Sequence, residues 1–235
     1  MVYVAGDLNG CFNDWKRLIQ KIDLKGTDMV FLTGDVIGGD ENPMALLFDL
    51  MTRTNVFPLM GYKEFRFGEC ISKIAPDAGK NDFYKGLDEQ TMNTLAEFVK
   101  SGGRTVFEQY LDLDEDDRES VREYLEEFTL YEELNVKDRS FVLTHSGLSD
   151  FDKNRDLGDY KLFDYLLSSH EPGEKLYDDK ILVFGHTPTF EFGKKYEGRI
   201  IKTDSFINVD CGAMYKDKGG RLGCIRLDDL EEFYV

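Results

Sequence analysis

Val2-Tyr3-Val4-Ala5-Gly6-Asp7-Leu8-Asn9-Gly10 decides how the chain is read, because an apolar strand runs straight into a polar turn bracketed by glycines. Valine and tyrosine favour a pleated, half-buried strand, while Gly-Asp-x-Asn-Gly allows the left-handed backbone of a tight turn. The same grammar returns at Met29-Val30-Phe31-Leu32-Thr33-Gly34-Asp35, and two later apolar runs end in His145 and in Gly185-His186. Between the first two strands, Phe12, Trp15, Leu18, Ile19 and Ile22 fall on one helical face, predicting a helix over about 12–22. Pro43 stands in a first-turn position ahead of Leu46, Leu47, Leu50 and Met51, and a third strand over 55–60 runs into Gly61-Tyr62-Lys63-Glu64. The order β-α-β-α-β predicts an α/β sheet with its chemistry at the carboxyl ends of strands.

From about 64 to 135 the pattern turns helical and charged, with Leu95, Phe98 and Val99, then Phe107, Tyr110 and Leu111, and an acidic tract from Asp112 to Asp117. It reads as a helical acidic insertion within a single domain spanning 1–235, mainly a solvated cover, with Asp116 or Asp117 starting the helix of Val121, Tyr124, Leu125 and Phe128. The second half predicts strands over 139–144, 180–184, 199–203, 206–210, 223–227 and 231–235, a short helix over 159–168, and a hairpin turn at Gly219-Gly220.

With 235 residues, 41% of them hydrophobic, the chain can bury a full core. A net charge of −17 repels phosphate backbones and anionic lipid, which argues against general nucleic-acid binding and against a membrane surface. No apolar run approaches the ~20 residues of a membrane span. Cys11, Cys70, Cys211 and Cys224 are scattered and form no C-x-x-C pair, and the amino terminus lacks the pattern of a leader, so a reduced cytoplasmic setting is expected. The acidic insertion is a candidate docking face for a basic protein partner.

Carboxylates and imidazoles at neighbouring strand ends are what a divalent-metal phosphoesterase needs: a carboxylate to bridge cations, further oxygen and nitrogen ligands, and a water made acidic between them. Asp7, Asp35, His145 and His186 are the candidates. Asp7 and Asn9 equally suit an ordinary turn, and a histidine on a strand equally suits a core. Only three histidines exist, however, and two of them end strands beside glycine.

The ordered set Gly6-Asp7-Leu8-Asn9-Gly10, Gly34-Asp35, Gly61-Tyr62-Lys63-Glu64, His145-Ser146-Gly147, Gly185-His186-Thr187-Pro188 and Val209-Asp210-Cys211-Gly212 resembles the calcineurin-like metallophosphoesterases, nearest to their phosphoprotein phosphatase branch and its small bacterial and phage relatives. The resemblance covers nearly the whole chain. It implies an α/β sandwich of four layers, two mixed β-sheets flanked by helices, with a dinuclear site at the strand ends. The implied first-metal ligands are Asp7 and Asn9, the latter where the family has histidine. Asp35 is the implied bridging carboxylate, and Gly38 and Gly39 replace the aspartate and phosphate-gripping arginine of the second motif. Tyr62 stands at a second-metal ligand position and Lys63 at the position of the general acid, where the family has asparagine and histidine. His145 and His186 match later ligands, and Asp210-x-Gly212 matches the closing motif. A second phosphate-binding arginine is replaced near Ser169-His170, which leaves the phosphate-binding residues unassigned.

These departures imply an eroded first site, a weak or absent second equivalent, and at most one tightly bound divalent metal, Zn, Fe or Mn, held by Asp35, His145 and His186. Tyr62 would ligate only as a phenolate, and Lys63 would compete with a cation or replace its charge. The expected function is a catalytically impaired phosphatase fold that binds one metal and a phosphate-containing ligand or phosphoprotein. The alternative is a working metal-dependent phosphoric ester hydrolase with a compensated or single-metal site.

Overall fold

The computed structural model describes residues 1–39, 41–75, 78–79 and 82–235. Strands β1 (Val2–Ala5), β2 (Met29–Leu32) and β3 (Val56–Pro58) alternate with helices α1 (Phe12–Lys21) and α2 (Pro43–Met51) and pair in parallel, as the sequence predicts. The antiparallel pair β9 (Gly223–Arg226) and β10 (Glu231–Tyr234) completes this sheet in the order β10-β9-β1-β2-β3. The second sheet has the order β4-β5-β6-β8-β7, from β4 (Tyr131–Val136), β5 (Arg139–Thr144), β6 (Lys180–Phe184), β7 (Ile201–Lys202) and β8 (Phe206–Asn208). Here β5, β6 and β8 run parallel, and β4 and β7 are antiparallel edges.

Period-two alternation explains the layering. Tyr3 and Ala5 of β1 and Val30 and Leu32 of β2 pack toward the helices, whereas Val4 and Phe31 pack against Phe141, Leu143 and Val183 of the second sheet. On the far face, Val142, Leu182 and Phe184 meet Tyr165 of α7 (Leu162–Leu166). Helices, sheet, sheet and helix are the four layers that the sequence implied.

The segment between the sheets holds α3 (Tyr62–Ile71), α4 (Glu89–Phe98), α5 (Arg104–Leu111) and α6 (Glu115–Glu126). Its inner face is part of the main core: Phe67 of α3 stacks on Phe98 at 5.5 Å and meets the edge of Tyr110 at 5.3 Å, and Val106 and Val121 are fully buried. It is therefore more than a solvated cover. Three local expectations need correction. Residues 131–135 belong to strand β4, because their alternation pairs with β5, so the helical stretch ends short of 135. Asp114, not Asp116 or Asp117, caps α6, accepting from the Asp117 amide at 2.9 Å; Glu115, Asp116 and Asp117 fill the first turn, where the helix dipole favours negative charge. Gly219-Gly220 makes no hairpin, since β8 and β9 lie in different sheets; Gly219 takes a left-handed conformation after a short 3-10 turn in the crossover.

The four cysteines are free and buried. Among the described residues no helix is long and apolar enough to cross a membrane. Because Phe67 anchors the helix that carries Lys63 into the site, Phe67→Ala is expected to lower stability by about 3–5 kcal/mol in urea denaturation.

Candidate metal centre

Six parallel strands deliver one polar side chain each to a common cleft. Asp7 lies just beyond β1, Asp35 beyond β2, Lys63 in the first turn of α3 after β3, His145 beyond β5, His186 beyond β6 and Asp210 beyond β8. All are buried except His186, which is partly exposed. Asn9 (φ 47°), Asp35 (φ 44°) and His186 (φ 68°) adopt left-handed backbone, a conformation costly for residues with a Cβ and typical of functional turns. The cleft has a volume of about 250 Å³.

Glu64 organises the loops. Its carboxylate accepts from the backbone amides of Asp35 (2.8 Å), Ile37 (2.9 Å) and Gly61 (3.1 Å), so one side chain holds the end of β2 against the start of α3. Gly61 is required there because a Cβ would overlap the Asp35 amide. The sequence reading quoted Glu64 as the last residue of its motif but gave it no role; a carboxylate at the third position of a helix, the place of a capping box, was the further signal.

Asp35, His145 and His186 place one donor atom each within 4.8 Å of one another. Nδ1 of His145 lies 2.7 Å from the Thr33 carbonyl, which fixes the proton on Nδ1 and leaves the Nε2 lone pair facing Nδ1 of His186 at 3.1 Å and Asp35 at 3.6 Å. Burial pushes the His145 pKa down to about 4 and also lowers that of His186, so both imidazoles are neutral at pH 7. Burial alone would raise the Asp35 carboxyl, but the Lys63 ammonium and the hydrogen bond from the Lys63 amide work against it, and the pKa lies below the usual value. Two neutral imidazoles and an ionised carboxylate form a donor set that fits Zn²⁺, Fe²⁺ or Mn²⁺.

The other half of the cleft is different. Asp7 accepts from the Thr33 hydroxyl at 3.0 Å and from the His186 amide at 3.2 and 3.1 Å, and burial, Asp210 and Asp35 raise its pKa well above normal. The Lys63 ammonium donates to the Asn9 side-chain oxygen and lies 3.6 Å from Asp35. Burial lowers the Lys63 pKa, but Asp35, Asp7 and Glu64 more than reverse this, so the group stays charged and is a poor proton donor. The Tyr62 hydroxyl accepts from Arg66 at 3.0 Å and is occupied there. Asp210, which the sequence reading matched only by motif, is buried in the same cleft. His170 packs against Phe151, Phe184 and Phe206 and pairs with Glu174 at 2.9 Å, within the core behind the second sheet. Burial raises the Cys211 thiol, as suits a core residue rather than a nucleophile.

Burial lifts Glu64 to about 8, with Asp35 adding to the shift, and burial lifts Asp210 to about 7. The unfolded carboxyls titrate near ~4, so at intermediate pH the folded state holds the extra protons, and stability falls as pH rises toward the folded values. His145 opposes this only between its folded value of about 4 and its unfolded value of 6.5. In EDTA, the free energy from urea denaturation should therefore drop by about 2 kcal/mol between roughly pH 6.5 and 8.

No family model matches this chain, and no curated protein matches it significantly in sequence. Solved structures do match. A candidate diadenosine tetraphosphatase superposes with a TM-score of 0.65 at 16% identity, over 100% of this chain and 92% of its own. A serine/threonine phosphatase from Saccharomyces cerevisiae, similar to human PP5, gives 0.54 at 14% identity, over 100% of this chain and 78% of its own. At these identities the likeness is one of fold alone, the two-sheet sandwich flanked by helices that the resemblance of the motifs implied.

Proposed function

We propose that this chain is a catalytically impaired phosphatase fold that holds one divalent cation through Asp35, His145 and His186 and binds a phosphate-containing ligand beside it. The observation that carries the reading is the contrast between the two halves of the cleft. In the trio Asp35 and His145 are buried and His186 is partly exposed, the imidazoles are neutral, and the Thr33 carbonyl orients His145. The group at the general-acid position, Lys63, is a charged ammonium engaged by Asn9 and Asp35.

A cation bound at the trio would supply Lewis-acid polarisation of a phosphoryl oxygen. The chain's own residues then have three tasks, to orient the ligand, neutralise charge and deliver a proton. His145 and His186 stay neutral and hold the cation. Asp7, Asp35 and Asp210 line the cleft with carboxyl groups that repel or compete with a phosphate, and among the described residues lining it there is no arginine to grip one. Phosphate binding should therefore depend on the cation, which supplies local positive charge. Losing a general acid costs ~10²–10⁴-fold in rate, and losing a charge-stabilising donor costs a further ~10²–10³-fold.

Slow single-metal hydrolysis is the second reading, favoured by the intact trio. Purified protein is expected to take up one equivalent of Zn²⁺ or Mn²⁺, lost in His145→Ala and kept in Asp7→Ala. Inorganic phosphate should bind only after metal is added. Turnover of an aryl phosphate should stay near background; rapid metal-dependent turnover abolished by His145→Ala would establish the second reading instead.

A further inference from the structure

Lys63 is a fully charged side chain in a place where charge is expensive. It is 7% exposed and sits among Asp7, Asp35 and Glu64, all buried. Nζ donates to the Asn9 amide oxygen, lies 3.6 Å from one Asp35 oxygen, and is covered by the Met214 sulfur at 3.9 Å. The backbone amide of Lys63 donates to the other Asp35 oxygen at 2.9 Å, so the residue grips that carboxylate from both ends. An inward-facing amide oxygen between carboxylates is the hard oxygen set that a free divalent ion would otherwise use.

Space for the ammonium comes from Gly38. A methyl group there would stand 3.0 Å from both Cδ and Nζ of Lys63 and 3.3 Å from the Asn9 oxygen, and its φ of 133° disfavours any side chain. The missing side chain at 38 and the long cation at 63 are thus two parts of one arrangement.

We propose that the Lys63 ammonium is a built-in cation for the Asp7, Asn9 and Asp35 half of the cleft, keeping a free divalent ion out of that half and limiting the chain to one. This rests on the one-cation reading of the trio. Lys63 is a positioning residue here, fixing Asn9 and Asp35 through charge and hydrogen bonds.

Titration with Mn²⁺ followed by elemental analysis tests it on the full chain. Lys63→Met, which keeps the alkyl length without the charge, is expected to gain one Mn²⁺ equivalent over the wild type. Lys63→Gln should gain it too, while Lys63→Arg should not. The gained equivalent should vanish in Lys63→Met/Asp7→Asn and persist in Lys63→Met/His145→Ala, which separates this half of the cleft from the trio. If burying the acids without a cation weakens the apo fold, the thermal midpoint gives the same answer: saturating Mn²⁺ should raise that of Lys63→Met by about 5–10 °C more than that of the wild type. No gain in Lys63→Met or Lys63→Gln, a gain insensitive to Asp7→Asn, or two equivalents in the wild type would overturn the proposal. The one-cation reading is scored separately, by whether the wild type's own equivalent disappears in His145→Ala.

Discussion

The amides of Asp35, Ile37 and Gly61 all donate to the single carboxylate of Glu64, and the positions of Asp35 and Lys63 in the cleft depend on that contact. It ties the loop after β2 to the first turn of α3, which sets Asp35 at the centre and brings Lys63 in from the side. Burying a carboxylate is costly, and three N–H donors with short distances are the kind of compensation that makes it tolerable. The helix that supplies Glu64 is in turn held by Phe67 among aromatic neighbours, so hydrophobic packing well away from the cleft controls the geometry within it.

Charge balance then divides the cleft. On one side, desolvation keeps His145 and His186 neutral while Asp35 remains ionised, which is a state prepared for a metal. On the other, Asp7 and Asp210 carry raised pKa values, and a lysine supplies the positive charge. The same low-dielectric surroundings that suit the trio to a cation give Lys63 its grip on Asp35 and Asn9.

The sheet order of the first half was legible because apolar runs ended in glycine and polar residues, and because α1 and α2 carried clear helical spacing. The boundaries of β5 and β6 were legible for the same reason. Strand β4 was not, since it is an edge strand in which Tyr131, Glu132 and Leu134 are only half-buried and Glu133 is exposed, and its alternation is masked by the acidic helix before it. Gly219-Gly220 misled because glycine marks a turn without saying which sheets it joins. Within the site, Asp7, Asp35, His145 and His186 were visible from their places at strand ends, Asn9 and Lys63 only through the resemblance of the motifs, and the structure brings all six into one cleft. The role of Glu64 was not visible, because a carboxylate at the third position of a helix suggests a local cap and not a grip on the amides of a distant loop. Nor could spacing show that the Tyr62 oxygen would turn to Arg66.

The close approach of Gly38 to the Lys63 side chain also constrains how this cleft can change by single steps. A side chain introduced at 38 while Lys63 is present crowds the ammonium and must adopt an unfavourable backbone angle as well. Shortening Lys63 first removes the crowding, but it leaves carboxylates facing one another until a cation or a new ligand arrives. The two positions are therefore coupled: room for a side chain at 38 depends on what stands at 63, and a chain altered at both would rely on a bound cation to keep the facing carboxylates together.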